Sequence, residues 1–215
     1  MERIQRSLRD VAPLLVKDGI GFWLKKLQKH DPDSYQLAWS SVMLADKFLD
    51  HSGDETIDRE LFLRSLLLRD IGKLWLNQDQ MERQRNPSVF YEYVQHHPER
   101  SVQLLAQFNM LHLVDPDAIL YHHENLDGTG YPFAVDWQDI TFEARLMRIM
   151  DAFCRSVHDY PSVSGLTHAL DELYMWSDVQ YDKDLVQMFG EFVLIHKEEL
   201  TQSMLKHCKL DALLV

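Results

Sequence analysis

The amino-acid sequence predicts an all-α fold in a single domain. Its 215 residues include only eight glycines and seven prolines, which leaves little room for the many tight turns of a β-sandwich or barrel. Apolar residues recur at helical spacing in several segments, and no stretch shows the strict alternation that predicts a strand. The hydrophobic fraction of 46% and the charged fraction of 26% are ordinary for a globular protein and exclude wholesale disorder.

Helix-start signals place the elements of the N-terminal half. Residues 1–29 are predicted to form one or two helices, an extension of a main domain over residues 30–215. The start signal Asp31, Pro32, Asp33, Ser34 precedes a helix, whose buried face contains Leu37, Ser41, Leu44, Ala45 and Phe48. The apolar run at 60–76 predicts one long helix, and Asn86 with Pro87 predicts the start of another.

Proline positions and apolar periodicity place the remaining elements. Pro98 and Pro116 are each predicted to begin a helix, because proline is tolerated in the first turn. The glycines and proline of residues 127–132 predict a loop. After it come an amphipathic helix, marked by Leu146, Ile149, Met150 and Phe153, and two last helices, at 166–176 and 183–200.

The charge balance argues against several classes of function. The chain has 34 acidic and 22 basic side chains, a net charge of −12, which disfavours nucleic acid and anionic membranes as partners. No apolar run approaches the ~20 residues that span a bilayer, and residues 1–19 lack the apolar core of a signal peptide. Cys154 and Cys208 form no disulfide pattern. We therefore expect a cytoplasmic protein, in which a small anionic ligand would need a metal or local arginines.

Histidines are concentrated in one segment. Five of the eleven lie within 96–123, namely His96, His97, His112, His122 and His123. Asp70 and Asp151 lie in apolar helices, where a lone carboxylate is costly to bury. Imidazole with carboxylate is the ligand mixture of Zn, Fe or Mn sites, which hydrolyse phosphoesters by activating a bound water. The simpler alternatives are that His96 and His112 have no special role and that Asp151 pairs with Arg148 or Arg155 at helical spacing.

The string HHENLDGTGYP at 122–132 resembles the signature of HD-GYP domains, bacterial relatives of the HD phosphohydrolases that hydrolyse cyclic-di-GMP. RDIGKL at 69–74 resembles the family's HDIGK element, and HHPERSVQLL at 96–105 resembles its HP segment. EARLMRIMDAF at 143–153 is similar to the stretch that ends in a ligand aspartate, and HDPDSYQLAW at 30–39 to the one that supplies the first histidine. The resemblance covers residues 30–163 and implies an HD-GYP-like helical bundle with its site between the helices.

The resemblance also implies roles for individual residues. The metal ligands would be Asp70, His97, His122, His123 and Asp151. Asp70 and Lys73 would be catalytic, with Lys73 holding the phosphate. The loop of Gly130, Tyr131 and Pro132 would lie beside the site and, in some members of the family, contacts a cyclase domain of the GGDEF type. The implied partners are cyclic-di-GMP, a GGDEF-type cyclase or another signalling protein, and a second copy of the chain.

Four positions depart from the family's pattern. Leu37 stands where the first ligand histidine is expected, Arg69 at the histidine of the HD pair, Cys154 at a second aspartate and Tyr160 at an arginine. Leucine offers no lone pair, and arginine offers only donors and a fixed charge. We therefore expect Arg69 to pair with Asp70 or Asp151 in place of one metal. The remaining ligands, His97, His122, His123 and Asp70, would hold one Fe, Mn or Zn ion, or none.

These departures leave three functions open, in descending order. The first is a degenerate HD-GYP-type domain in cyclic-di-GMP signalling, catalytically impaired, that acts by binding a nucleotide or a protein. The second is an active metal-dependent cyclic-di-GMP phosphodiesterase with a rearranged centre, in which Asp33 or His30 substitutes for a lost ligand. The third is a scaffold that binds neither metal nor nucleotide.

Overall fold

The computed structural model describes residues 8–77 and 93–207. They form α-helices joined by short loops and three 3-10 helices, and apart from a single bridge between Ser177 and Tyr181 they contain no β-structure. The all-α prediction is confirmed. The α-helices are α1 (Leu8–Leu15), α2 (Ile20–His30), α3 (Pro32–Ser52), α4 (Arg59–Leu68), α5 (His97–Gln107), α6 (Pro116–Tyr121), α7 (Phe142–Asp159), α8 (Val163–Met175), α9 (Lys183–Ile195) and α10 (Lys197–His207). The 3-10 helices are Ile71–Trp75, Leu111–Leu113 and Trp137–Asp139.

Side-chain caps begin the helices where the sequence predicts a start. The carboxylate of Asp31 accepts a hydrogen bond from the backbone N–H of Ser34 at the start of α3, and Asp115 caps α6 in the same way. Thr141 caps α7 and Asp182 caps α9. Each cap satisfies backbone donors that have no partner inside the helix.

Helix α3 lies at the centre of the core, packed against α2, α4 and α7. Its Phe48 ring lies 5.8 Å from the ring of Phe189 and 5.5 Å from that of Phe192, both on α9. Phe189, Phe192 and Val193 are fully buried in this core. The apolar stripe of α9 is therefore interior and does not form an outer face for a second copy.

The long helix predicted over 60–76 is wrong in one respect: it breaks at Arg69 and Asp70, and the chain continues as a 3-10 helix. Helix α5 packs so closely here that a Cβ on Gly72 would overlap the carbonyl oxygen of His97. The Ser101 hydroxyl donates to the carbonyl oxygen of Arg69 (2.6 Å) and accepts from the N–H of Gly72 (2.8 Å). These bonds satisfy the backbone groups that the break leaves free.

The helix predicted over 183–200 is also divided in two, with His196 at the junction of α9 and α10. The change of direction brings Leu200 into the core, where it is fully buried, and lets Glu199 pair with Lys47 of α3. The helix predicted to start at Asn86 lies outside the described residues. No helix within the two described ranges is long and apolar enough to cross a membrane.

Candidate metal centre

The candidate centre lies where four segments meet. Asp70 is in the turn between α4 and the 3-10 helix, His97 is the first residue of α5, and Asp151 is in the middle of α7. His122 and His123 directly follow α6. All five side chains are buried or nearly so. Segments far apart in sequence thus bring together the five residues that the resemblance implies as metal ligands.

Three histidines form the one group among the described residues that has the spacing of a metal site. Ligand atoms of His97, His122 and His123 all lie within 4.8 Å of one another. His97 donates its Nδ1–H to the carbonyl of Val94 (2.7 Å), and His122 donates its Nδ1–H to the carbonyl of Ile119 (2.6 Å). A carbonyl only accepts, so in the neutral rings both Nε2 atoms carry lone pairs, and these atoms lie 3.4 Å apart.

Two facing lone pairs repel unless a cation lies between them. Nδ1–H bonded to a carbonyl, with Nε2 left free, is also the arrangement that orients histidine ligands in metalloproteins. Burial lowers the pKa of His122 to about 4 and the pKa values of His97 and His123 well below their usual value. The rings are therefore neutral at pH 7, as metal ligands must be. This donor set fits a metal ion such as Zn, Fe or Mn.

Asp70 faces this histidine cluster with unused acceptor capacity. Its Oδ1 lies 3.2 Å from Nε2 of His97 and 2.7 Å from Nζ of Lys73. Neither carboxylate oxygen is in a well-aligned hydrogen bond, although both are fully buried. Burial alone would raise the pKa of Asp70, but the charges of Lys73 and Arg69 outweigh it and hold the pKa far below its usual value. Asp70 is therefore a buried anion with lone pairs available for a cation.

Arg69 holds Asp151 in the manner expected from the sequence. The Arg69 side chain is fully buried, and its Nη2 donates to Oδ1 of Asp151 (2.9 Å) and to the Ser41 hydroxyl (3.1 Å). Its Nη1 donates to the carbonyl of Leu66 (2.7 Å). Arg155 lies 3.4 Å from the other oxygen of Asp151. Although Asp151 is a predicted metal ligand, both of its oxygens are engaged by guanidinium groups.

The other departures occupy positions with no metal-binding role. Leu37 is buried, and its carbonyl accepts from the Ser41 hydroxyl (2.8 Å). Burial raises the pKa of the Cys154 thiol to about 12, so it stays protonated and is a poor ligand. Tyr160 is exposed, with its ring 5.0 Å from that of His168.

The two proposed substitute ligands lie apart from the histidine cluster. His30 donates its Nε2–H to the backbone carbonyl of Lys73 (3.1 Å). Asp33 is exposed at the edge of the cavity beside the centre. Neither belongs to the metal-type group found among the described residues. His96 is exposed and pairs with Glu99 (3.0 Å), in agreement with the simpler interpretation of that residue.

The loop at 127–132 packs directly on the centre. The ring of Tyr131 stacks on that of His123, with centroids 4.6 Å apart, and the Tyr131 N–H donates to the carbonyl of His123 (3.2 Å). Gly130 has no room for a side chain, because a Cβ would overlap the backbone of Glu124 and Asn125. The loop therefore fixes the orientation of the third histidine.

Three positioning residues were missed at the sequence stage of the argument. Glu124 is buried and its Oε1 accepts from the N–H groups of Phe133 (2.8 Å) and Ala134 (3.2 Å), which fixes the end of the loop. Its place after the histidine pair was the signal that could have found it. Ser34 accepts from Nζ of Lys73 (2.8 Å), and Ser101 bridges the break after α4. A serine carries no sequence signal for such a contact.

A cavity of about 720 Å³ opens beside the centre. Lys73, Arg148 and Arg155 contribute cationic groups to its wall, and His97 and His123 face it from the metal centre. Aromatic rings line its other parts: Tyr131, Tyr160, Trp176 and Tyr181. The cavity thus offers positive charge next to the candidate ligands and ring faces farther away.

A family model described as "HD domain" matches residues 25–185. The chain belongs to the HD domain family. The match includes every residue of the candidate centre, so the resemblance inferred from the motifs is confirmed at the level of the family.

Curated relatives of this HD domain protein are phosphodiesterases of cyclic dinucleotides. A cyclic di-GMP phosphodiesterase of Pseudomonas aeruginosa is 26% identical over 133 residues, 60% of this chain and 32% of that protein. A probable cyclic di-GMP phosphodiesterase of Vibrio cholerae is 28% identical over 131 residues, 54% of this chain and 29% of that protein. The 3'3'-cGAMP-specific phosphodiesterase 3 of V. cholerae is 32% identical over 97 residues, 45% of this chain and 21% of that protein. The chain thus spans about a third or less of the length of these relatives.

Solved structures share the fold. The HD domain of the L. monocytogenes phosphodiesterase PgpH, crystallised with cyclic-di-AMP, aligns with a TM-score of 0.57 at 17% identity, covering 85% of this chain and 94% of that one. A second structure of the same domain aligns with a TM-score of 0.54. At this identity the likeness establishes the architecture alone.

Proposed function

We propose that this HD domain binds one metal ion and a cyclic dinucleotide such as cyclic-di-GMP, and hydrolyses the nucleotide slowly or not at all. The observation that carries the proposal is the buried pair of Arg69 and Asp151, 2.9 Å apart. In this pair a fixed cation takes up the carboxylate that a second metal would need. The chain would then act as a degenerate HD-GYP-type receptor in signalling.

His97, His122, His123 and Asp70 are the residues that would hold the single ion. Bound there, a divalent ion supplies positive charge for a phosphate oxygen and lowers the pKa of a coordinated water. A guanidinium also supplies charge, but it has no open coordination position for a nucleophile. Loss of one metal's share of transition-state stabilisation, several kcal/mol, lowers the rate roughly a thousandfold or more.

The cavity wall supports a ligand that carries two phosphates and two bases. Lys73 lies at the metal end, held by Ser34 and Asp70, and Arg155 lies half-exposed on α7. Cations of this kind form charge-assisted bonds with phosphate oxygens. Tyr181 and Trp176 offer ring faces on which bases stack. The volume of about 720 Å³ is within the range of small-molecule sites.

We also propose the loop of Gly130, Tyr131 and Pro132 as a contact for a signalling partner such as a GGDEF-type cyclase domain. Phe133 directly follows the loop and is half-exposed. Because Glu124 fixes the backbone at this point, the apolar ring is presented in a fixed position. Binding of a purified cyclase domain, lost in Phe133→Ala, would support this assignment.

Metal stoichiometry tests the one-ion centre. The full chain is loaded with Mn²⁺ or Fe²⁺, dialysed and measured by elemental analysis. We expect about one ion per chain, and loss of it in His122→Ala. The double variant Leu37→His with Arg69→His should raise the content towards two. Two or more tightly bound ions in the unchanged protein would contradict the proposal.

Hydrolysis and binding assays separate receptor, enzyme and scaffold. With added Mn²⁺ or Fe²⁺, cyclic-di-GMP should titrate with a measurable binding heat and show negligible turnover. Arg155→Met should weaken binding about tenfold, since a charge-assisted bond is lost, whereas Arg145→Met, on the same helix but outside the cavity, should not. Sustained turnover that disappears in His122→Ala would favour an active enzyme, and absence of any binding heat would favour the scaffold.

A further inference from the structure

A second large cavity lies on the other side of the 3-10 helix Ile71–Trp75. It is an open groove of about 750 Å³ between α2 and α5. Phe22, Trp75 and Phe108 line it with 56%, 51% and 56% of their surface exposed. The ring of Trp23 lies 5.1 Å from that of Phe22 and 4.9 Å from that of Phe108, so the rings form one continuous surface. Contiguous exposed apolar surface of this kind marks interaction sites.

The groove is positively charged, although the molecule as a whole carries −12. Helix α2 contains three lysines and no acidic residue. Lys26 and Lys29 line the groove, and among the described residues that line it there is no carboxylate. Nζ of Lys26 lies 4.9 Å from the ring centre of Phe22, and the Arg100 guanidinium lies 4.8 Å from that of Trp75. Cation–π contacts keep the charges beside the rings.

We propose that this groove binds an acidic segment of a partner protein that carries one or two large apolar side chains. The apolar side chains would lie between the rings of Phe22, Trp75 and Phe108, and the carboxylates would pair with Lys26, Lys29 and Arg100. A second copy of the chain is a poorer occupant. A twofold dimer places the same patch of each copy at the interface, which would bring two lysine-rich grooves together.

The groove has a direct structural connection to the nucleotide cavity. Leu74 and Trp75 line the groove, while Lys73 of the same 3-10 helix lines the cavity beside the metal centre. His30, on the groove side, donates to the backbone carbonyl of Lys73 (3.1 Å). A partner in the groove would therefore contact the element that positions Lys73.

A displayed library of random twelve-residue peptides tests the proposal with the full chain as bait. We expect the enriched peptides to be acidic and to carry at least one Trp, Phe or Leu. By fluorescence polarisation with one synthesised peptide, Phe22→Ala and Trp75→Ala should each weaken binding about tenfold or more, as central aromatic residues do. Lys26→Glu combined with Lys29→Glu should abolish it, and added salt should weaken it.

Matched controls use residues of equal exposure elsewhere. Trp137 is also 51% exposed, and Lys183 is exposed outside the groove; Trp137→Ala and Lys183→Glu should leave binding unchanged. Because all the substituted side chains are largely exposed, circular dichroism should show the same fold in each variant. The proposal is overturned if no acidic peptide is enriched, or if Trp75→Ala binds as well as the unchanged chain. It is equally overturned if sedimentation shows a dimer that Trp75→Ala dissociates, since the occupant would then be a second copy.

Discussion

The Arg69 guanidinium contacts its surroundings only as a donor. It reaches the carbonyl of Leu66, the hydroxyl of Ser41 and the carboxylate of Asp151, all within 3.1 Å. A metal ion would require lone pairs to converge on it, whereas arginine distributes its charge over fixed directions and cannot lose its proton. Asp151 is therefore compensated whether or not the histidine cluster holds an ion.

Replacing Arg69 should reveal this compensation. Arg69→Met keeps much of the side chain's length but leaves Asp151 buried with only the half-exposed Arg155 as its partner. We expect the free energy of unfolding to fall by about 3–5 kcal/mol, as when one partner of a buried ion pair is removed. Urea denaturation at pH 7 in the presence of a chelator measures it.

Arg145→Met is the control for that variant. Arg145 also lies on α7 and pairs with Asp182 (2.6 Å), but both side chains are about one-fifth exposed. Solvent screens this pair, and we expect a loss of about 1 kcal/mol or less. Equal losses in the two variants would show that the buried pair at Arg69 has no special importance for stability.

The short 3-10 helix after α4 determines where the catalytic-type residues lie. It begins immediately after Asp70 and contains Lys73, and Gly72 lets it approach the first turn of α5, which begins at His97. If α4 continued as a regular helix, Asp70 would move away from the histidine cluster. The position of the carboxylate therefore depends on the close approach of two backbones.

Gly72→Ala should disrupt this approach. A Cβ there would overlap the carbonyl oxygen of His97 and lie 2.6 Å from the backbone nitrogen of Ser101. Since backbone atoms cannot move aside without shifting α5, we expect a loss of roughly 1–3 kcal/mol in the free energy of unfolding, as for overpacking, and weaker metal binding. Thermal denaturation and elemental analysis measure the two effects.

Gly21→Ala is the opposite case and serves as the control. Gly21 lies in α2, and a Cβ there would meet nothing closer than 3.4 Å. Alanine is the better helix former, so this variant should be neutral or slightly more stable. A destabilisation equal to that of Gly72→Ala would indicate that any added methyl group is harmful, whatever its surroundings.

Most helices could be predicted because their caps and apolar periodicity are local. The break after Leu68 and the junction at His196 could not, because each depends on contacts with residues distant in sequence: Ser101 for the first, and the burial of Leu200 for the second. In the candidate site, the motifs indicated the histidines and the pairing of Arg69. The roles of Ser34 and Ser101 come only from their three-dimensional neighbours.

Across the whole molecule, acid stability should reflect the buried histidines. Burial lowers the pKa of His122 from its usual 6.5 to about 4. Between these values the unfolded chain binds a proton that the folded chain does not, so stability is complete above pH 6.5 and falls as the pH drops towards 4. Below that range, loss of the charges on Asp70 and Asp151, whose pKa values are also lowered, weakens the fold further.

Metal-free protein in a chelator, denatured with urea at a series of pH values, tests this. Of the total decrease between pH 6.5 and 4, His122 should account for about 3 kcal/mol. His122→Gln should therefore flatten the curve in this range, whereas His112→Gln, at an exposed position, should leave its shape unchanged. A curve of the same slope in His122→Gln would show that this histidine is not the group responsible.

The buried contacts of Arg69 also restrict how the chain can evolve. Ser41 bonds both the Leu37 carbonyl and Arg69, so the two departed positions share one packed environment. A lineage that regained only the histidine at 69 would strip Asp151 of its main partner, and one that regained only the histidine at 37 would bury an imidazole beside a guanidinium. Each intermediate should be less fit than its ancestor. Two changes are needed at once, and this loss of a metal position is expected to behave as a ratchet over generations.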